Sequence, residues 1–337
     1  MGSKMRSKTL SNRLKTAVEE RLPLVANTFS KARQIVSSRI VDAQYPLISK
    51  RTFIHDLKHA VDTKTGYAAG KTGPSQQHWM YYEIFLAKGQ HELLSAFEKE
   101  LYFHCLKQEG VFPANSKFYL EFSRFYVSHL RNVNCLGIFY LPNELEIIRY
   151  YNLKNKFIHY LNQEPDRSSP NNERKCYLQY FKGKKLLIIC PFADVLKERA
   201  IAVEFEKIWA KTGKKWFYPE SVDSLEFPYG FSPETHKKYK TVLDLFEFIM
   251  RQIEKKDFDI ALVAAGGLSI PIISSIKNMG KVAIDLGGHL QVLFGIIGAR
   301  WRDWDDWKQM YFNEHWIDMP TQYKPKELDV CDQGAYW

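Results

Sequence analysis

Residues 257–301 read DFDIALVAAGGLSIPIISSIKNMGKVAIDLGGHLQVLFGIIGARW. An apolar run from Asp259 to Ala265 ends in the double glycine Gly266-Gly267. A helix-like segment opens near Ser269 and Pro271 and stops at Gly280. A second short apolar run, Lys281–Ile284, leads through Asp285 to another double glycine, Gly287-Gly288. Strand, helix and strand with small-residue turns at the strand ends make a β-α-β unit. In open α/β sheets ligands settle beyond the carboxyl ends of the strands. Turns without side chains there let backbone amides approach a phosphate-sized group.

Working outward, the same alternation continues upstream. Lys185–Cys190 is a buried-strand pattern leading into a helix from about Asp194 to Lys211, and Lys215–Tyr218 is a short strand candidate. Pro219–Pro233 reads as a long loop, and Lys240–Lys255 as an amphipathic helix. Alternating strands and helices imply an α/β fold, a mostly parallel sheet flanked by helices. Nearer the amino end, Phe53–Val61 reads as a short helix and Gly66–Ala69 as a strand. A glycine-rich turn, GKTGPSQQ, then leads to a helix from about Ser75. The GKT at Gly70–Thr72 is not a P-loop, because Thr65 stands where the required upstream glycine belongs. Residues 91–130 are helical and rich in core-type aromatics. Cys135–Tyr140 is a strand candidate, Leu145–Tyr151 a helix, and 162–175 a polar loop.

The net charge is +10, and +8 of it falls within residues 1–60, which hold 12 Lys/Arg against 4 Asp/Glu. Residues 8–40 carry helical spacing, so the chain divides into a basic helical extension (1–60) and an α/β domain (61–337). Such a segment is either a solvated helical face or a contact for nucleic acid or an anionic membrane surface. No run approaches the roughly 18 apolar residues of a membrane span, and the amino end lacks the apolar core of a secretory signal. The expectation is a cytoplasmic protein, peripheral to a membrane if the extension docks there. The five scattered cysteines contain no C-x-x-C pair, which argues against structural zinc or a disulfide framework.

Several polar residues sit where chemistry is expected. Asp285, at a strand's carboxyl end, suits a ribose contact, a cation or a base; His289 suits a phosphate contact or a proton shuttle. Either also suits a turn or a helix cap. Gln291 lies near glycines, and Arg300 offers a planar fork of donors to phosphate or an ion pair to Asp303 or Asp305. Ser269 is placed to cap its helix. Trp301, Trp304 and Trp307 share a three-residue spacing that suits packing more than sugar stacking.

These motifs, with KGKKLLIICPF at Lys182–Phe192, NEHWIDMP at Asn313–Pro320 and GAYW at Gly334–Trp337, resemble glycosyltransferase-like proteins of the GT-D fold. The resemblance runs over about residues 60–337 and is strongest towards the carboxyl end. It implies a Rossmann-like sheet and transfer of a sugar from a nucleotide sugar to a glycan, lipid-linked or protein acceptor. It also implies a first turn whose acidic motif helps hold Mn²⁺ or Mg²⁺. Here that turn has Gln76 in place of the acidic residue, a poor ligand for a hard cation. Lys71 could neutralise diphosphate in the metal's place; otherwise the site is metal-independent or a catalytically inactive nucleotide-binding one. On this reading Gly70, Lys71, Gly73 and Gln76 line the site with Gly266, Gly267, Gly287, Gly288, Gln291 and Arg300. Asp285 and His289 are the candidate catalytic groups.

Overall fold

A computed structural model describes residues 45–141, 144–165, 176–213, 217–302, 305–326, 334 and 336–337. The chain divides into a small unit, Met1–Pro46 with Tyr140–Glu146, and a large one, Leu47–Phe139 with Ile147–Trp337. Within the small unit, Glu144 accepts from the Leu141 N–H at 2.8 Å. The helical reading of residues 8–40 lies outside the described residues. Among the described residues, all the strands belong to the large unit.

The first helix of the large unit, α1 (Lys50–Thr63), is capped by the Ser49 hydroxyl, which accepts from the Thr52 N–H at 3.1 Å. The helix buries Phe53, Ile54, Leu57, Ala60 and Val61 in the same core cluster as the sheet's Ile188, Leu262 and Ile284. Each Phe, Ile or Leu buried in this way contributes about 1.5–3 kcal/mol. The chain continues through β1 (Tyr67–Lys71), α2 (Gln77–Ala87), α3 (His91–Tyr102), a π-helical turn at Phe103–Gln108, and α4 (Ser116–Asn132). Then come β2 (Cys135–Ile138), α5 (Glu144–Tyr150), β3 (Lys156–His159), a 3₁₀ turn at Tyr160–Gln163, and β4 (Lys185–Ile189).

The remainder is α6 (Ala193–Arg199), α7 (Ala202–Ile208), β5 (Ser221–Leu225), α8 (Pro233–Lys238), α9 (Val242–Ile253) and β6 (Ile260–Val263). These lead to α10 (Ser269–Asn278), β7 (Val282–Asp285), α11 (His289–Leu293), and a small parallel pair, β8 (Ile296–Ile297) with β9 (Ile317–Asp318).

Among the described residues, seven strands form one sheet in the order β3-β2-β1-β7-β6-β4-β5, and every pairing is parallel. The α/β reading holds, with the sheet wholly rather than mostly parallel. Strand β6 is buried at every position, as is β7, and β4 is buried from Leu186 onward. Helices cover both faces, so these central strands read as continuous apolar runs.

Two strands differ from the sequence reading. The long loop expected at 219–233 contains β5, whose SVDSL pairs with β4 at the sheet edge. An edge strand with one half-exposed face needs no apolar run, so its pattern gives no signal. Strand β3, KFIH, is four residues long with two of them buried, too short for a periodicity to register. Of the strand expected at 215–218, residues 217–218 are not in a strand, and 214–216 lie outside the described residues. Gly280 does end α10 in the left-handed region, at φ +78°.

Candidate functional site

Strands β1 and β7 are neighbours, with Ala69 opposite Ile284, and β6 lies on the far side of β7, with Val263 opposite Asp285. Lys71 and Asp285 therefore end adjacent strands, and both glycine turns follow strands of the same central trio. A cavity of about 650 Å³ opens over these tips. Residues following all seven strands reach its wall: Phe139, Tyr160, Pro191, Phe227, Ala264 and Leu286, together with Lys71 itself. The sheet order reverses direction at β1, the switch point where open α/β sheets leave a crevice.

Asp285 is 3% exposed. Its carboxylate accepts from the Gly287 N–H at 3.0 Å, and the Lys71 backbone N–H and the Ser269 hydroxyl lie near enough to favour its charged form. Burial raises its pKa above the ordinary carboxylate value, and the nearby Lys71 charge and these donors oppose the rise. The Ser269 hydroxyl also accepts from the Ala265 N–H at 2.9 Å. Ser269 is thus the first residue of α10 rather than its cap, and it ties the preceding turn to the strand tip.

The Lys71 ammonium lies 3.2 Å from the Glu164 carboxylate, and His289 Nδ1 lies 3.5 Å from the same oxygen. His289 is buried, with the rings of Trp301 and Trp307 meeting it edge to face. Nothing in the sequence singles out Glu164, because it sits in a polar stretch that reads as a loop. The 3₁₀ turn after β3 delivers it. Gln163, one residue before, donates to the Gly70 and Cys135 carbonyls at 3.1 and 3.3 Å and seats the turn over β1 and β2. A Cβ on Gly137 would stand 2.7 Å from the Gln163 side chain. That glycine in CLGI is the one signal of a close approach, and it names no partner.

Gln76 is a junction of the first turn. Its amide nitrogen donates to Glu109 Oε2 and to the Gly266 carbonyl, both at 3.2 Å. Its oxygen accepts from the Gly73 N–H at 2.9 Å and from the Tyr126 hydroxyl at 3.3 Å. A neutral amide is needed here, since the position must both donate and accept. A divalent cation does not fit an oxygen already holding two donors. Among the described residues, no group of three or more His, Cys, Asp or Glu is arranged to hold a metal ion. Glu109, a second carboxylate without a sequence signal, comes from the end of the π-helical turn.

The glycines divide by role. Gly73, Gly266, Gly287 and Gly288 border the cavity with Lys71, Gln76, Asp285, His289 and Arg300; Gly70, Gly267 and Gln291 lie behind its wall. A Cβ on Gly70 would meet Ile270 and Ile273 at 2.7 Å, so this glycine serves packing of α10 against β1. The Gly267 N–H donates to the Glu109 carbonyl at 3.0 Å. Gly287 adopts φ +53°, which favours glycine. The Arg300 guanidinium is exposed and stands over the Trp301 and Tyr336 rings, 5.6 and 5.2 Å from their centroids. Trp301 and Trp307 are buried packing residues; Trp304 and Asp303 lie outside the described residues, as does the side chain of Asp305.

The segment that forms the floor of this site is α9–β6–α10–β7–α11, and a family model covers it. Residues 239–293 match the GT-D fold-like domain. The GT-D-like segment includes both glycine turns, Asp285, His289 and Gln291. Lys71, Gln76, Glu109, Glu164 and Arg300 reach the same cavity from outside it. Searches of curated proteins and of solved structures find no match. Among the described residues, no helix is long and apolar enough to cross a membrane.

Proposed function

We propose that this chain is a glycosyltransferase-like enzyme that takes a nucleotide sugar in the cavity over the strand tips and transfers the sugar to an acceptor hydroxyl. The observation that carries the reading is the composition of that hollow. Its volume suits a ligand of nucleotide-sugar size. Lys71 and His289 line the hollow near the β1 and β7 tips, Arg300 lines it over the Tyr336 ring, and Phe192, Phe227, Tyr229 and Phe231 line it after β4 and β5. A diphosphate leaving group needs cationic or N–H stabilisation as its charge develops, and an incoming hydroxyl needs a proton acceptor. In this reading the acceptor oxygen bonds to the anomeric carbon as the bond to the diphosphate breaks. The electron pair leaves on phosphate oxygen beside Lys71 and Arg300, and the proton passes to Asp285 or His289. The raised pKa of Asp285 makes it a better proton acceptor than an ordinary carboxylate, and its bond from the Gly287 N–H also suits a purely structural tie.

Calorimetric titration of uridine and guanosine diphosphate sugars, with and without Mn²⁺, tests this directly. Lys71→Ala should weaken binding more than Glu83→Ala. Glu83 is engaged elsewhere, accepting from the Ser123 and Tyr151 hydroxyls at 2.7 and 2.9 Å. Failure of every nucleotide sugar to bind would remove the proposal.

Gln76 favours a second reading, a nucleotide-binding protein without turnover, because the acidic residue the resemblance implies is replaced by a hydrogen-bonding junction. Binding without transfer or hydrolysis would support it. The basic residues 1–60 favour a contact with nucleic acid or an anionic membrane. Heparin or DNA retention and liposome flotation, before and after removal of residues 1–50, separate these two.

A further inference from the structure

The GAYW motif at 334–337 has no part in the chemistry above, yet two of its residues reach the cavity. Tyr336 and Trp337 both line it. The Trp337 N–H donates to the Gly334 carbonyl at 3.0 Å, closing a turn in which Gly334 sits at φ +77°. Three residues between β7 and the end of α12 (Ala299–Arg302) seat this turn. Gln291, fully buried on α11, donates to the Tyr336 carbonyl at 2.9 Å. Gly288 leaves room for the Tyr336 ring, since a Cβ there would stand 2.7 Å from it. Arg300 lies over the same ring. Trp337 in turn meets Tyr229 and Phe192 edge to face, with centroids at 5.6 and 6.3 Å.

We infer that Tyr336 and Trp337 form a ligand-binding wall, in which Tyr336 is the positioning residue and Trp337 the ring that contacts the nucleobase of a nucleoside diphosphate. The inference rests on the nucleotide-sugar reading and deepens it. Lys71 and Asp285 end β1 and β7, while Phe192, Phe227 and Tyr229 follow β4 and β5 beyond β6, so a diphosphate held at Lys71 can direct its base across the cavity towards those rings. There Trp337 joins Phe192 and Tyr229. It also gives Gln291 and Gly288 a common purpose. Neither needs to touch ligand; both hold the wall.

The test is calorimetry of uridine and guanosine diphosphate with the full chain, on the wild type and on Trp337→Ala, Trp337→Phe and Gln291→Leu. Loss of one base–aromatic stack corresponds to about 5- to 150-fold in affinity. Trp337→Ala should therefore bind at least about fivefold more weakly and Trp337→Phe within about threefold of wild type. Gln291→Leu should weaken binding although it lies behind the cavity wall. If Trp337→Ala does not melt cooperatively, Trp337→Leu replaces it, with the same loss expected. A Trp337→Ala or Trp337→Leu protein that binds like the wild type overturns the inference and leaves the nucleotide-sugar reading standing. A wild type that binds neither diphosphate overturns both.

Discussion

Lys71 and Glu164 are 93 positions apart in sequence, and their charged groups meet at 3.2 Å in the cavity wall, with Glu164 3% exposed. Lys71 is therefore not a bare cation awaiting phosphate. Its charge is shared with a carboxylate that also faces His289. Any anion bound over β1 competes with Glu164 for it.

Breaking this pair from one side removes the nearest opposite charge from the other, a loss of up to about 3–5 kcal/mol that His289 beside Glu164 and Asp285 near Lys71 reduce. Lys71→Met and Glu164→Gln should each destabilise the fold towards that range. The double variant should lose markedly less than the sum. Urea denaturation of the four proteins as a double-mutant cycle measures the coupling. Additive losses would show that the two groups do not act as a pair.

Asp285 gives a pH dependence of definite sign. Its folded pKa is raised, first by burial, so the native state binds more protons than the unfolded state between the ordinary carboxylate value and the raised one. Stability contributed at this position is present below the unfolded value and is lost as pH rises through the folded one. The wild type should thus lose stability relative to Asp285→Asn as pH increases across that window. Denaturation of both proteins from about pH 4 to about pH 8 reads the difference, in which other titrating groups largely cancel. A difference that grows in the opposite direction would contradict the assignment.

Gly70 and Gly73 should behave oppositely. Gly70→Ala drives a methyl into Ile270 and Ile273 of α10, an overpacking that costs about 1–3 kcal/mol. At Gly73 a Cβ meets nothing within 4 Å, so Gly73→Ala should stay within about 0.5 kcal/mol of the wild type. Equal effects in chemical denaturation would mean that α10 does not pack as described.

Gln76→Glu restores the acidic residue that the resemblance implies. It sets a carboxylate against Glu109 and the Gly266 carbonyl, both now served by the amide nitrogen. The variant should be destabilised by about 1–3 kcal/mol, the cost of leaving buried partners unmatched. Mn²⁺ should recover part of its melting temperature by neutralising the facing carboxylates. No response of the variant to Mn²⁺ in thermal melts would show that the first turn cannot accommodate a cation even with the acidic residue in place.

The central strands are legible in the sequence because helices cover both their faces: IALV and KLLII have no choice but to be apolar. The glycine turns are legible for a related reason, since a chain leaving a buried strand at positive φ selects glycine whatever surrounds it. Asp285, Lys71 and His289 stand out because they lie next to those turns in the chain. Strands β3 and β5 do not, being short or half-exposed edges with little apolar demand.

Residues 239–293 determine by themselves a run of local preferences: apolar strand, left-handed turn, helix, strand. These are set by backbone sterics and burial within a few residues of one another. The pairing of Lys71 with Glu164, the locking of Gln76 between two turns, and the seating of Tyr336 on Gly288 join points far apart in the chain. Local preference carries no information about such distances. They were decided by the parallel stacking of β3, β2, β1 and β7, which brings their carboxyl ends to one edge and leaves the segments beyond those ends to meet there.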